Sequence, residues 1–339
     1  MDWDKGYSAL YYAAVLDKNT MRDVSRIEIK GGSIRREMSD LRESADLDCV
    51  GYDNSSEQYI RIWLDTKQNG SSSHIPLFTG IATSPGKKYT GRHEESTVEC
   101  YSILKIVQDI LLPRGWYAPA EVDAIALVKD LLKPLHTNIY IPEMDNMPTL
   151  EQAIIAENGE SNLSMSDAIL YAVGWKMRLD GYGDIYLEPE TPGAVSYTLS
   201  ATENDIIESN IDIKYDWFNC PNILRVVVDD MSAIARDDSP DSPYSTVTRG
   251  REVWAEESVG NLGSNETITE YATRRLTELQ RVATEISYDR RFLPDLYPGD
   301  IIRLNYPAQN IFGNYYVTSQ SISLGYGAKT SEEVVSYEF

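Results

Sequence analysis

Apolar and polar residues alternate through most of the first hundred positions, which is the period of a strand with one buried face. "VSRIEIK" sets Val24, Ile27 and Ile29 among polar positions, and Gly31-Gly32 then predicts a turn. "YIRIWLD" places Ile60, Ile62 and Leu64 on one face and Tyr59, Arg61 and Trp63 on the other. "IPLFTGIATS" and "STVECYS" add two strands, and the joins "YDNSSE", "KQNGSSS" and "SPGKK" are rich in turn residues. Short strands at this spacing predict a sandwich or a barrel.

The period lengthens at Ser102. "SILKIVQDILL" sets Ile103, Ile106, Val107, Ile110 and Leu111 at helical spacing. "AEVDAIALVKDLL" predicts a second helix ending before Pro134, and "TLEQAIIAE" a third with Thr149 as N-cap. In "SMSDAILYAVGWKMRLDGYGDIYLEP", Ser164 and Asp167 start a helix whose stripe is Ile169, Leu170, Val173 and Met177. Gly181 and Gly183 turn the chain there, and "DIYLEP" returns as a strand. From about residue 195 the strand period resumes in "AVSYTLS", "NIDIKYDWF" and "NILRVVVDD". Residues 235–245, "ARDDSPDSPYS", read as a polar loop of low order, and "REVWAEE" as one more strand.

The clearest helical pattern covers 267–286. Thr267 and Glu270 form a capping box, and Ile268, Tyr271, Ala272, Leu276, Leu279, Val282 and Ile286 form an apolar stripe. Arg274, Glu278 and Arg281 lie opposite, on a solvated or interface face. "PDLYPGDIIRLNYP" then predicts a turn at Pro298-Gly299, capped by Asp300, that opens into a strand. "NYYVTSQSISL" and "SEEVVSYEF" complete the chain.

At 339 residues the chain is long enough for about two to four domains. Hydrophobic residues make up 42%, enough to build cores; Tyr at 23 against Phe at 5 favours strands and contact surfaces. The net charge of −22 is concentrated in the middle. Residues 1–105 hold 16 acids against 14 bases, whereas 106–200 hold 14 against 5 and 201–260 hold 13 against 5. Such a surface lacks the clustered cations that grip phosphate backbones. It serves solubility, or it is a face that avoids a polyanion or meets a basic partner. Cys49, Cys100 and Cys220 are odd in number and far apart, so buried free thiols are the expectation. "MDWDKGYSAL" does not read as a signal peptide, and no stretch nears the roughly 18 apolar residues of a membrane span, so no membrane insertion and synthesis in the cytoplasm are expected.

Catalytic constellations are scarce. His74, His93 and His136 occur in no HExxH or HxH pattern, and there is no CxxC, GxSxG or P-loop. His93, Glu94 and Glu95 can touch a metal, but a loop histidine is the simpler reading. "GYGDIYLEPE" lacks the strand-before, helix-after context of a phosphate cradle and reads as a turn. Paired carboxylates can run glycoside hydrolysis, and Asp180, Asp184, Glu188 and Glu190, Asp229-Asp230, and Asp237, Asp238 and Asp241 are the clusters to weigh. With 53 acids, such clusters arise by chance. The 235–245 loop lacks the spaced calcium-loop pattern and reads as solvated. Trp3, Trp63, Trp116, Trp175, Trp217 and Trp254 mostly sit in periodic segments, which favours core packing over glycan binding. No catalytic, cofactor or metal residue is assigned, and the expectation is an assembly component rather than an enzyme.

The order of segments supplies a resemblance. "ADLDCVGYDNSSEQYIRIWLD", "IPLFTGIATSPGKKYTGRHEESTVECYSILKIVQDILL", "YAVGWKMRLDGYGDIYLEP", "NILRVVVDD", "LYPGDIIRLNYP" and "GNYYVTSQSISLGYGAKTSEEV" together resemble the baseplate hub proteins of bacteriophage tails and contractile injection particles. That family includes the N-terminal hub region of siphophage tail-associated proteins. The likeness spans nearly the whole chain, on diffuse motifs: an "FTG" turn, a "PGD" entry and a "GxYxVxSxS" strand. It implies an α+β, mainly β fold with two β-barrel domains of the hub type, an α+β insertion and one long helix in the C-terminal half. The first barrel maps to 1–105 with a return through about 195–235, the insertion to 106–194, and the second barrel to 236–339 with helix 267–286.

The resemblance further implies a homotrimer whose six barrels match a hexameric tail tube or distal tail ring. Its tapered end carries a spike, plug or fibre beside other baseplate proteins, and DNA passes through the channel without specific binding. The expected location is the tail or baseplate of a virion. An acidic lining of that channel and a neighbour on the charged face of the long helix are further expectations. Tail-associated members often continue into peptidase or lysozyme domains; this sequence ends at Phe339, after the second barrel, so no such activity is carried over. The alternatives are a cell-wall hydrolase using an acidic cluster and a glycan- or receptor-binding tail module.

Overall fold

A computed structural model describes residues 3, 5–50, 52, 55–90, 93–190, 194–201, 206–228, 231–259, 267–282 and 284–337. The first segment forms β1 (Ser8–Leu16), β2 (Asp23–Glu37), β3 (Glu43–Val50), β4 (Tyr59–Gln68), β5 (Ser71–Thr90) and β6 (His93–Ser102). Their order is β1-β4-β5-β6-β3-β2, and β1 also pairs with β2, so this run of six returns to its first strand. The inward positions follow the alternation. Ile60, Ile62 and Leu64 are fully buried beside Ile34, Leu47, Leu77, Phe78 and Val98, each worth about 1.5–3 kcal/mol of burial. The outward face of β4 is covered too. Arg61 donates to the Thr79 hydroxyl at 2.9 Å and to the carbonyls of Met21 and Tyr182, and Trp63 donates to Asp23 at 2.9 Å.

Gly31-Gly32 is not a turn. β2 runs straight through it, with a register shift against β3 between Ile29 and Gly31. On one side of the shift, Asp23–Glu28 pairs with β1; on the other, Gly32–Glu37 pairs with a C-terminal strand. Gly32 sits at φ +139°, and a Cβ there would lie 2.1 Å from the Asp46 carbonyl oxygen. Glycine thus serves a bulge, where the strand passes from one group of partners to the other.

Residues 103–190 fold around their own core, built from α1 (Lys105–Gln108), β7 (Tyr117–Ala118), α2 (Ala124–Leu132), β8 (Ile139–Tyr140), β9 (Ile154–Ile155), α3 (Asn162–Ala172), β10 (Trp175–Leu179) and β11 (Ile185–Pro189). Asp123 caps α2 by accepting from the Ala126 amide at 2.9 Å. Two predicted helices change. The one from Ser102 is a single turn, after which Leu111 bridges to Ser161. "TLEQAIIAE" is no helix: Thr149 bridges to Asp123, and Ile154-Ile155 pairs with Tyr117-Ala118. The Leu150 carbonyl accepts from the Glu121 amide, the Leu150 amide donates to Val122 and the Ala156 amide to Trp116, which withdraws these groups from an i→i+4 ladder. α3 is capped by Ser161 rather than Ser164, the two side chains forming a reciprocal capping box. Asp167 lies within it and binds Arg42 through both oxygens, at 2.5 and 3.0 Å. Met177, read as part of the helical stripe, is buried in β10.

The remaining elements are β12 (Val195–Ser200), β13 (Ile206–Tyr215), β14 (Ile223–Val228), β15 (Met231–Arg236), α4 (Thr246–Arg249), β16 (Trp254–Ser258), α5 (Ile268–Val282), β17 (Thr284–Arg290), β18 (Ile301–Tyr306), β19 (Ile311–Leu324) and β20 (Thr330–Ser336). The capping box of α5 forms as read: the Glu270 amide donates to Thr267 Oγ1 at 3.2 Å, and the Thr267 amide to Glu270 Oε2 at 2.8 Å. Ile268, Tyr271, Ala272, Leu276 and Leu279 pack on Leu224, Val226, Val228 and Ala235 of the β15-β14-β16 sheet. The helix stops at Val282, and Ile286 is buried in β17, where β13 and β20 pair on either side.

The fold is mainly β with several helices. Twelve strands make one continuous sheet, running from β1 through β2 and β19 to β20, β17 and β13, with β18 and β12 attached beside β19. As a whole it is not a closed barrel. Among the described residues β13 pairs only with β17, and β12 only with β18. Val195–Ser200 pairs with β18 and Ile206–Tyr215 with β17, both among the C-terminal strands. Alternation marks a segment as a strand and buries one face, but it is blind to which edge that strand finds.

Candidate interaction surface

The residues weighed for chemistry are engaged in local structure. Asp180 Oδ1 accepts from the amides of Tyr182 at 2.9 Å and Asp184 at 3.0 Å, and burial raises its pKa. Asp184 accepts from Thr137 at 2.8 Å and from Asn138, and Glu188 lies 3.5 Å from Lys176 and 3.8 Å from Arg178. The glycines of this hairpin serve packing: a Cβ on Gly181 would lie 2.0 Å from the Pro76 carbonyl oxygen, and the Gly181 carbonyl accepts from buried Thr79. The 235–245 loop is ordered by hydrogen bonds. Asp237 accepts from Ser242 at 2.6 Å and Gln280 at 3.1 Å, while Asp238 holds Arg236 at 2.8 and 2.9 Å.

Asp229, Asp230 and the side chains of His93 and Glu94 lie outside the described residues. His74 is exposed, stacked on Trp63 at 3.9 Å and 2.5 Å from Asp65. Among the described residues no group of three or more His, Cys, Asp and Glu is placed to hold a metal ion. No helix among them is long and apolar enough to cross a membrane. Cys49, Cys100 and Cys220 are buried free thiols, and burial pushes Cys49 and Cys220 up to about 11.

What the chain does present is contact surface. Trp63 and Trp175 are in the core as read, but Trp217 and Trp254 are nearly half exposed. The strand expected through "NIDIKYDWF" ends at Tyr215, and Trp217 belongs to a turn, Asp216–Asn219. Asp216 Oδ1 accepts from the Phe218 and Asn219 amides at 3.1 and 2.9 Å, and its other oxygen from Asn219 Nδ2 at 2.8 Å. Arg249 donates to the Cys220 carbonyl at 2.7 Å and to that of Trp217. Trp217 stacks on Tyr215 at 5.7 Å and leans on Tyr244 at 5.3 Å. Phe218 is 86% exposed on this braced turn, at the end of β13, which among the described residues pairs only with β17. The turn fixes the backbone beneath the ring, so backbone ordering there is not a cost of docking. The Asp-x-x-Asn pattern of "DWFN" was the available signal.

A second face lies on the β15-β14-β16 sheet, away from α5. Arg225, Ile234 and Glu256 share one register position across the three strands. Arg225 pairs with Glu256 at 3.1 Å and lies 5.6 Å from the ring of half-exposed Trp254. On the outer side of α5, exposed Arg274 pairs with Glu278 one turn on at 2.6 Å, while Arg275 reaches Glu257 of β16 at 3.0 Å. The side chains of Arg281 and Val282 lie outside the described residues.

No protein-family profile matches the chain, and no curated protein matches it by sequence. Solved structures do match. The chain is similar to the tail protein from Neisseria meningitidis MC58, with a TM-score of 0.71 at 14% identity over 96% of each chain. It is also similar to the 43 kDa tail protein of prophage MuSo2 from Shewanella oneidensis, with 0.67 at 12% over 98% of each. The prophage tail protein gp18 from Listeria monocytogenes EGD-e gives 0.57 at 12%, over 96% of this chain and 94% of that one. At such low identity what is shared is the fold, and the chain carries the fold of phage tail proteins from end to end.

Proposed function

We propose that the chain is a structural subunit of a virion tail or baseplate, a hub at which a sixfold tail tube or distal tail ring meets a threefold spike, plug or fibre. The observation that carries this reading is the likeness in fold to solved tail proteins over 96–98% of the chain. Three copies form the hub, and each contributes two barrel-like units. The ring of pairings β1–β6 makes the first, and β12, β13 and β17–β20 make the second. Residues 103–190 and the α5 layer decorate them. A sheet continuous through both units holds them in fixed relation, as a load-bearing adaptor requires. The surplus of acids in 201–260 suits a channel that DNA traverses without sticking.

Light scattering on the purified protein, with negative-stain images of the same sample, tests this. The expected result is about 115 kDa, three times the 38.2 kDa chain, and a threefold particle with a central hole. A monomer up to the solubility limit that releases sugar or peptide from cell walls overturns the reading in favour of a hydrolase.

A further inference from the structure

One ribbon of the insertion turns an apolar face outward. β7 and β9 pair with Tyr117 opposite Ile155 and Ala118 opposite Ile154. The pairing is extended by the Ala156 amide, which donates to the Trp116 carbonyl at 3.1 Å, by the Leu112 amide, which donates to the Glu160 carbonyl at 2.8 Å, and by the bridge between Leu111 and Ser161. The inner side of the ribbon belongs to the core: Ala118 is fully buried, and Leu112, Trp116 and Ile154 pack with it. The outer side does not. Tyr117 is 55% exposed, Ile155 74% and Leu111 62%. Tyr117 and Ile155 are direct cross-strand neighbours, so their side chains make one patch.

The segments that carry this patch hold charge of one sign. Residues 109–123 and 149–161 contain Asp109, Glu121, Asp123, Glu151, Glu157 and Glu160 against a single base, Arg114. Asp109 pairs with Lys105, Asp123 caps α2, and Glu160 accepts from the Glu157 amide at 2.8 Å. Glu121, Glu151 and Glu157 are exposed. Such a rim repels a polyanion, an anionic bilayer and the same face of a second copy, and it attracts cations. A contiguous exposed apolar group rimmed by polar residues is the signature of a contact site.

We propose that this face docks a cationic segment of another protein, whose apolar side chains seat on Tyr117 and Ile155 while flanking Lys or Arg residues meet the acidic rim. The tyrosine and the isoleucine supply the centre that is desolvated on contact, and the carboxylates the solvated edge. The carboxylates steer the encounter and set its orientation more than they add affinity. Hydrogen bonds already fix both strands of the ribbon, so docking orders no backbone on this side. The docking face belongs to the insertion alone and does not depend on the hub reading.

A short amphipathic peptide of Leu and Lys probes the full chain, with two counterparts in which Glu replaces Lys or Ser replaces Leu. Calorimetry reads affinity and hydrogen exchange reads the footprint. The Leu–Lys peptide should bind at least about tenfold more tightly than either counterpart, protect amides within 110–118 and 154–162, and weaken as salt is raised to about 0.5 M. Ile155→Ser and Tyr117→Ser should each weaken it at least about tenfold. Both side chains are more than half exposed, so both variants should keep native exchange in α3, which is read in the same experiment. No binding, a footprint elsewhere, equal binding of the Leu–Glu peptide, or affinity that survives both substitutions overturns the proposal. So does sedimentation in which the native chain self-associates and Ile155→Ser does not, which would make the patch a contact between copies.

Discussion

Removing the carboxylate of Glu332 should be among the most damaging single changes in the C-terminal half. Glu332 is 1% exposed, as is its partner Arg290. Its oxygens accept from Arg290 Nε at 2.6 Å and from Arg290 Nη2, from the Tyr288 hydroxyl at 2.8 Å and from Gln320 Nε2 at 2.6 Å. β17, β20 and β19 are stitched together through this one group. Glu332→Ala leaves a guanidinium buried without a counter-ion, a loss of about 3–5 kcal/mol. The Tyr288 hydroxyl and Gln320 amide add roughly 1 kcal/mol if neither finds a new acceptor. Arg290→Met combined with Glu332→Leu removes both charges and should recover most of the loss, because two desolvated ions are replaced by apolar volume. Urea denaturation followed by tryptophan fluorescence and circular dichroism measures the single and double variants. A cost below about 1 kcal/mol for Glu332→Ala, or a double variant as unstable as the sum of the singles, would refute the account of a mutually dependent buried pair.

Phe218→Ser should leave the melting temperature within about 1 °C, since the ring contributes little burial, while weakening self-association by at least about 30-fold if the braced turn anchors a subunit contact. Sedimentation equilibrium reads this, and unchanged association would remove Phe218 from the interface. Gly32→Ala should cost more than about 3 kcal/mol or abolish folding, because the new Cβ meets the Asp46 carbonyl oxygen. Gly70→Ala, also at positive φ but with nothing within 4 Å, should cost only about 1 kcal/mol; equal losses in chemical denaturation would count against the close-approach argument. Thr267→Ala should cost about 1 kcal/mol by opening the capping box of α5, visible as faster hydrogen exchange confined to the first turn of that helix.

In the proposed hub, the exposed aromatics and the edges of β12 and β13 left unpaired among the described residues are the natural sites of assembly, since an unpartnered strand edge offers main-chain donors and acceptors to whatever lies beside it. Asp180, Asp184, Glu188, Asp237 and Asp238, weighed for hydrolysis, serve as turn caps and hydrogen-bond or ion-pair partners. Asp180 closes the Gly181–Gly183 hairpin against Thr79, and Asp237 holds Ser242 and Gln280.

Where the physics is local, the amino-acid sequence was sufficient. Alternation identified the inward face of β4, the Thr267–Glu270 pair located the start of α5, and Pro-Gly-Asp located the turn before Ile301, because caps, turns and strand faces depend on residues a few positions apart. Partner choice was not legible in that way. "TLEQAIIAE" has helical spacing but yields its backbone to Glu121, Val122 and Trp116, and Val195–Ser200 chooses β18 over the N-terminal strands. Gly31-Gly32 reads as a turn until Asp46 is seen pressed against it. Trp217 and Trp254 carry strand-like patterns, yet whether such a ring is core or surface depends on what covers it. Each of these outcomes rests on contacts between residues tens to hundreds of positions apart, whose energies no local pattern records; only the folded chain decides which edge is paired, which is left open and which charge is buried.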